Sequence, residues 1–194
     1  MYEKFYNLRE RPFELLPNPR FLFLTSRQRE AFSNLQYGLT AARGLTLLIG
    51  EAGTGKTTLL QAAISELRES TLRYVLLSNP TLTRDEFYEF LARSFGLTEA
   101  AAHSKTQFLF ELRHELQERH LAGTLSAVII DEAQSIPYDL LEEVRLLSNV
   151  EMPTVKLLNV VLAGQPDFQV VRLGGAEARI PGTEKDAACT QSPS

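Results

Sequence analysis

The sequence predicts a three-layer α/β/α sandwich built on a parallel sheet, and three observations carry that expectation. From Gly44 onward, short apolar segments of strand length alternate with longer helix-like ones, the pattern that βαβ units leave in a sequence. The stretch Gly50-Glu51-Ala52-Gly53-Thr54-Gly55-Lys56-Thr57 is a complete G-x-x-x-x-G-K-[ST] loop set between one such strand and one such helix. A further strand-like run, Val128-Ile129-Ile130, ends in the adjacent acids Asp131-Glu132.

Residues 1–44 form an N-terminal segment, aromatic and proline-punctuated through Phe5, Tyr6, Pro12, Phe13, Pro17, Pro19, Phe21 and Phe23. Ser26 is the expected N-cap of a helix running toward Ala42, with Ala31, Phe32, Leu35, Leu39 and Ala42 at helical spacing. The core, residues 45–171, opens with the strand Leu45–Ile49 and a helix over Gly55–Glu69. Leu72–Leu77 reads as the second strand, and Thr83 caps a helix that runs through Phe95 to a stop at Gly96. Ser104 opens a long helix ending near Gly123. Leu125–Ile130 is apolar almost throughout, as a strand covered on both faces should be. A helix over Asp139–Asn149 and a strand over Leu157–Ala163 follow. Residues 172–194, broken by Gly174, Gly175, Pro181, Gly182 and Pro193, carry no amphipathic period and read as an irregular or disordered tail.

Composition bounds the function. The 194 residues suffice for one domain with a sizeable core, and 44% hydrophobic with 23% charged residues is ordinary for a soluble globular chain. A net charge of −4 supplies no global basic field for nucleic acid. Cys189 is the only cysteine, so an intrachain disulfide is excluded and a reducing cytosol fits. The first residues lack the apolar run of a signal peptide, and no window approaches the roughly 18 apolar residues of a membrane helix. His103, His114 and His120 show no metal-ligand spacing.

The loop's residue types specify its chemistry. Glycines let successive backbone N–H groups curl inward toward an anion, and the following helix aims its positive end at the same place. The residues expected to cradle the phosphates of ATP are Gly50, Glu51, Ala52, Gly53, Thr54, Gly55, Lys56, Thr57 and Thr58. Lys56 supplies a mobile charge for the β- and γ-phosphates, and the Thr57 hydroxyl a ligand for Mg²⁺. The loop and the strand ending in acids are the Walker A and Walker B motifs of a P-loop NTPase. Asp131-Glu132 alone fits an acidic helix start as well as a site. With the loop upstream, Asp131 is expected to hold Mg²⁺ and Glu132 to polarise the attacking water. Gln165, at the end of Leu162-Ala163-Gly164-Gln165-Pro166, fits either a γ-phosphate contact or a turn residue ahead of proline.

Residues 1 to about 169 resemble the AAA+ ATPase domain of the general secretion pathway protein A family and related ATPases of pilus biogenesis and exosortase loci. The resemblance rests on Met1 to Leu8, on Pro12-Phe13 with Pro17-Asn18-Pro19, on Leu35-Gln36-Tyr37-Gly38, and on the phosphate loop. It rests further on Asp131-Glu132-Ala133-Gln134, on Leu141-Glu142-Glu143-Val144-Arg145-Leu146-Leu147-Ser148-Asn149, and on Val161 to Pro166. It implies an ATP hydrolase, with Gln165 as sensor of the γ-phosphate and the N-terminal segment as adenine-side wall. It also implies homo-oligomers facing the cytoplasm at the inner membrane, and secretion or envelope proteins as partners. Arg145 would face the nucleotide or a neighbouring subunit, or pair with Glu142 or Glu143.

The chain departs from that family after Phe168, where the family continues into a fifth strand, an arginine finger and a helical lid. Arg179-Ile180 stands too close to Gln165 to take the finger's place. The expectation is a truncated or frame-shifted gene, or a fragment, in which the first strand becomes a sheet edge unless the tail covers it, ring assembly and hydrolysis in trans are not expected, and ATP is bound but weakly hydrolysed. Two other functions compete with a secretion motor. One is a DNA-transaction ATPase of the transposition-helper type, for which Arg9, Arg11, Arg20, Arg27 and Arg29 offer a basic cluster interleaved with Glu3, Glu10, Glu14 and Glu30. The other is a nucleotide-binding remnant.

Overall fold

The computed structural model describes residues 24–41, 44–67 and 71–166. Its elements are α1 (Ser26–Thr40), β1 (Leu45–Ile49), α2 (Lys56–Glu66), β2 (Leu72–Leu77), α3 (Arg84–Phe95), α4 (Glu99–His103) and α5 (Lys105–Leu121). After these come β3 (Leu125–Ile130), a 3-10 turn (Ala133–Ser135), α6 (Tyr138–Leu147), β4 (Glu151–Met152), β5 (Val155–Lys156) and β6 (Asn159–Gly164). The segment before Leu24, with its expected adenine-side wall, and everything beyond Pro166, including the expected tail, lie outside the described residues.

Four strands make one sheet in the order β1-β6-β3-β2, every neighbouring pair parallel. Among the described residues β1 pairs only with β6. The strand period of two divides the core. Val128 and Ile130 of β3, with Val160 and Leu162 of β6, pack on Phe87, Leu91, Phe108, Leu112 and Val144 from α3, α5 and α6. Ala127 and Ile129, with Val161 and Ala163, face Phe32, Leu35, Leu59 and Leu60 from α1 and α2. Both faces of the two central strands are therefore covered, which is why β3 and β6 read as unbroken apolar runs. The sandwich expected from the alternation of elements is the one observed.

Local chemistry moves several boundaries. The α1 cap is Thr25 rather than Ser26, because Gln28 completes a capping box: its N–H donates to Thr25 Oγ1 at 3.3 Å while its Oε1 accepts from Thr25 N at 3.1 Å. Helix α2 stops at Glu66, three residues early, since Leu67 turns extended and joins the apolar cluster beneath α1. Pro137 fixes the start of α6 at Tyr138. Leu157 donates its N–H to Val150 O at 3.0 Å, closing the unexpected β4–β5 hairpin, so β6 begins at Asn159 instead.

One buried carboxylate ties three helices together on the α3–α5–α6 face. Glu143 accepts from the Tyr88 hydroxyl at 2.5 Å, from Lys105 Nζ at 2.6 Å and from Arg84 Nε at 3.1 Å. Burial alone would raise its pKa, but the hydrogen bonds from Lys105 and Tyr88 and the charges of Lys105 and Arg84 outweigh that and hold it below 4.5. Burial first, and then the Glu143 carboxylate, push the Tyr88 phenol well above its ordinary value. Replacing Glu143 by Ala is expected to destabilise the domain by about 1–3 kcal/mol, chiefly by stranding the buried Tyr88 hydroxyl, since both cations can turn to water. Because the carboxylate pKa is lowered on folding, the part of this contribution that depends on its charge is full above about pH 4.5 and lost as pH falls through the folded value. Urea melts of wild type and Glu143→Ala at pH 7 and pH 3.5 check it: the gap should shrink at the lower pH.

Candidate active site

The loop after β1 takes its shape from two glycines with positive φ, Gly53 at 77° and Gly55 at 85°, a region that side chains with a Cβ rarely enter. Thr54 closes the turn, its hydroxyl donating to Glu51 O at 2.8 Å. Lys56 begins α2 and is buried, 7% exposed, with its Nζ donating to Gly50 O at 2.8 Å and to Glu51 O at 3.0 Å. The ammonium therefore lies inside the loop and is held by the loop's own carbonyls. Helix α2 has Gly55 at its N-cap position, with no side-chain cap and no acidic residue in its first turn. Its first N–H groups stay available to an anion, favoured there by the helix dipole. By contrast, Thr25, Thr83, Thr98 and Ser104 cap the starts of α1, α3, α4 and α5.

The parallel register carries the end of β3 to the same place. Asp131, 5% exposed, accepts from the Thr57 hydroxyl through Oδ2 at 2.7 Å and from the Glu132 N–H through Oδ1 at 2.9 Å. Its own N–H continues the ladder to Leu77 O at 2.9 Å, so strand and carboxylate are fixed together. Thr57 Oγ1 and the Asp131 carboxylate are hard oxygen donors in hydrogen-bond contact, the donor set that suits Mg²⁺. Glu132 is exposed and, at φ 54° and ψ 42°, is the one non-glycine residue with positive φ among the described residues. That conformation costs about 1–2 kcal/mol. Glu132 stands at the head of the 3-10 turn without making a side-chain cap.

The end of β6 completes the cluster. Gly50 donates its N–H to Gly164 O at 3.1 Å, which sets Gln165 beside the first residue of the loop. The structure thus gathers Gly50 to Thr57, Asp131, Glu132 and Gln165, with Thr58 half-buried in the first turn of α2. Arg145 is not brought to this cluster by any hydrogen bond: its Nε pairs with Glu142 Oε2 at 2.9 Å on the surface of α6, the second of the places expected for it. His103 pairs with Glu99 at 3.0 Å, and no metal-binding group of three or more acidic, His or Cys side chains occurs among the described residues.

Two glutamines join the site that residue types alone did not single out. Gln28 Nε2 donates to Thr54 O at 3.3 Å, tying α1 to the apex of the loop. Gln134 reaches both Glu132 and the backbone of Gln165. The capping-box spacing Thr25-x-x-Gln28 and the run Asp131-Glu132-Ala133-Gln134 were the signals available for them.

A family model described as an AAA domain matches residues 40–171. Over 171 residues the chain is 40% identical to general secretion pathway protein A of Aeromonas hydrophila, an alignment covering 87% of this chain and 31% of that protein. It is 30% identical over 137 residues to the DNA transposition protein B of the Mu-like prophage FluMu of Haemophilus influenzae, covering 69% of this chain and 43% of that one. The chain therefore spans less than half the length of these relatives. Among solved structures it is similar to the ORC2 protein of Aeropyrum pernix in its ADPNP and ADP complexes, with a TM-score of 0.55 at 16% identity over 80% of this chain and 48% of that one. The Cdc6p structure from Pyrobaculum aerophilum gives a TM-score of 0.55 at 19% identity over 88% of this chain and 48% of that one. At these identities the likeness to the two structures is one of fold.

Proposed function

This chain belongs to the AAA domain family, and on that premise we propose that it binds Mg²⁺-ATP at Gly50–Thr57 and hydrolyses it, as the motor or switch domain of a secretion or envelope-export system. The observation that carries the chemistry is the 2.7 Å hydrogen bond from Thr57 to Asp131, which joins the phosphate loop to the acidic strand end across 74 residues of sequence. The likeness to general secretion pathway protein A supports the cellular setting.

In this proposal the amides of the loop and of the first turn of α2 bind the phosphate oxygens. Lys56 leaves its carbonyl partners for the β- and γ-phosphates. Thr57 and Asp131 would hold Mg²⁺, which when bound supplies positive charge against the phosphate oxygens. Glu132 accepts the proton of the attacking water, and Gln165 senses the γ-phosphate from the end of β6. No helix among the described residues is long and apolar enough to cross a membrane.

The transposition-protein likeness favours a second reading, an ATPase acting on DNA. Of its basic cluster only Arg27 and Arg29 fall within the described residues, both exposed on α1. Three measurements separate the readings. Mg²⁺-ATP at about a hundredfold excess over its Kd should stabilise the domain by about 2.7 kcal/mol, a rise in Tm of roughly 5–10 °C. Phosphate release should accompany it, and a gel shift with long duplex DNA at moderate salt should show no complex. A DNA complex dependent on ATP would establish the second reading. A Tm shift without phosphate release would leave a nucleotide-binding remnant.

A further inference from the structure

The Gln134 amide spans two groups of the site that have no other described link. Its Nε2 donates to Glu132 Oε2, and its Oε1 accepts the backbone N–H of Gln165 at 3.1 Å. The two partners fix which way the amide faces, because a backbone N–H can only donate and an ionised carboxylate can only accept. The fit is close. A Cβ built on Gly164 would lie 3.2 Å from Gln134 Oε1 and 3.4 Å from the Gln134 backbone N, so the absence of a side chain at 164 makes room for the bridge.

The contact matters because of how Glu132 is otherwise held. Its backbone is pinned in the left-handed region and its N–H is taken by Asp131 Oδ1. Its carboxylate, on an exposed residue, has Gln134 as its hydrogen-bond partner among the described residues. An exposed Glu side chain left unanchored samples several rotamers, and the entropy of fixing it at the moment of reaction adds to the barrier. Gln134 removes that freedom by tying the carboxylate to the end of β6.

We propose that Gln134 is a positioning residue that fixes the Glu132 carboxylate relative to the β6 end at Gln165, so that the water-activating group and the phosphate-sensing strand move as one unit. The role rests on the hydrolytic reading above and acts on the chemical step alone, because Gln134 makes no hydrogen bond to the Gly50–Thr57 loop in the described structure. Movement of Gln165 toward or away from a γ-phosphate is transmitted to Glu132 through one planar amide.

Steady-state ATP hydrolysis by the full chain, with Mg²⁺-ATP affinity measured separately by calorimetry, tests this. Gln134→Ala and the volume-conserving Gln134→Met, which both delete the bridge, should each lower kcat by about 10²-fold, the scale of a misplaced catalytic group. KM and Kd should stay within about twofold. In a Glu132→Gln background the same substitutions should add less than about threefold, because the group they position no longer acts. A Tm close to wild type for either variant establishes that the loss is not one of folding. Wild-type turnover with kcat unchanged in both variants, a loss of affinity equal to the loss of kcat, or full additivity with Glu132→Gln would overturn the proposal while leaving the hydrolytic reading standing. A wild-type chain with no turnover dependent on Lys56 would overturn both.

Discussion

Replacing Lys56 by Ala is expected to weaken Mg²⁺-ATP binding by roughly 30- to several-thousand-fold and to remove turnover with it. The magnitude follows from where the ammonium sits. It is 7% exposed and already largely stripped of water, with the Gly50 and Glu51 carbonyls as its hydrogen-bond partners among the described residues. A phosphate bound in that setting gains a charge-assisted contact at little further desolvation cost. Truncating one member of a buried charged pair costs about 2–5 kcal/mol, and each 1.4 kcal/mol is about tenfold in Kd. Calorimetric titration of Mg²⁺-ATP into both proteins measures the difference. A nucleotide-free Tm within a few degrees of wild type distinguishes a lost contact from a collapsed loop. Binding weakened by less than about threefold would mean that the phosphates do not meet Lys56.

The parts of this fold that were legible in the sequence are those fixed by short-range chemistry. The loop could be placed because a strand and a helix flank it, and Thr83 is the observed cap where Glu86, three residues on, completes a capping box. The same rule, applied at α1, would have chosen Thr25 over Ser26, since Gln28 stands at the third position of the helix only if Thr25 is the cap. Helix α4 escaped because five residues, Glu99–His103, are too few to show a helical period. The β4–β5 hairpin escaped for the same reason, with two residues per strand.

Within the site, the residues proposed to bind through their own functional groups were readable from type and spacing. Those that act through a partner were not. Thr57 and Asp131 announce themselves by hydroxyl and carboxylate, whereas Gln134 matters through a backbone N–H 31 residues away that only the parallel register of β3 and β6 brings within reach. The strand order β1-β6-β3-β2 is likewise a tertiary fact. Alternation predicts a parallel sheet, but which strand sits beside which is decided by how the helices cover it.

Replacing Glu132 by Gln is expected to lower kcat by about 10²- to 10⁴-fold, the range a positioned general base contributes, with Mg²⁺-ATP affinity changed by no more than a few-fold. The substitution keeps size and the capacity to accept from Gln134, so the local geometry survives while the ability to take a proton is lost. Affinity is spared because the Glu132 side chain makes no hydrogen bond to the phosphate loop, and Asp131 keeps both of its own contacts, to Thr57 and to the 132 N–H. The competing account, an acid that merely begins a helical turn, gives no reason for a non-glycine residue to be held at φ 54°. Strain of that kind persists where the surrounding structure fixes it, here through the bonds of Asp131 and Gln134 on either side. Single-turnover hydrolysis under saturating Mg²⁺-ATP isolates the chemical step from product release. If that rate stays within threefold of wild type while hydrolysis remains dependent on Lys56, Glu132 is a turn residue and the proton acceptor is another group.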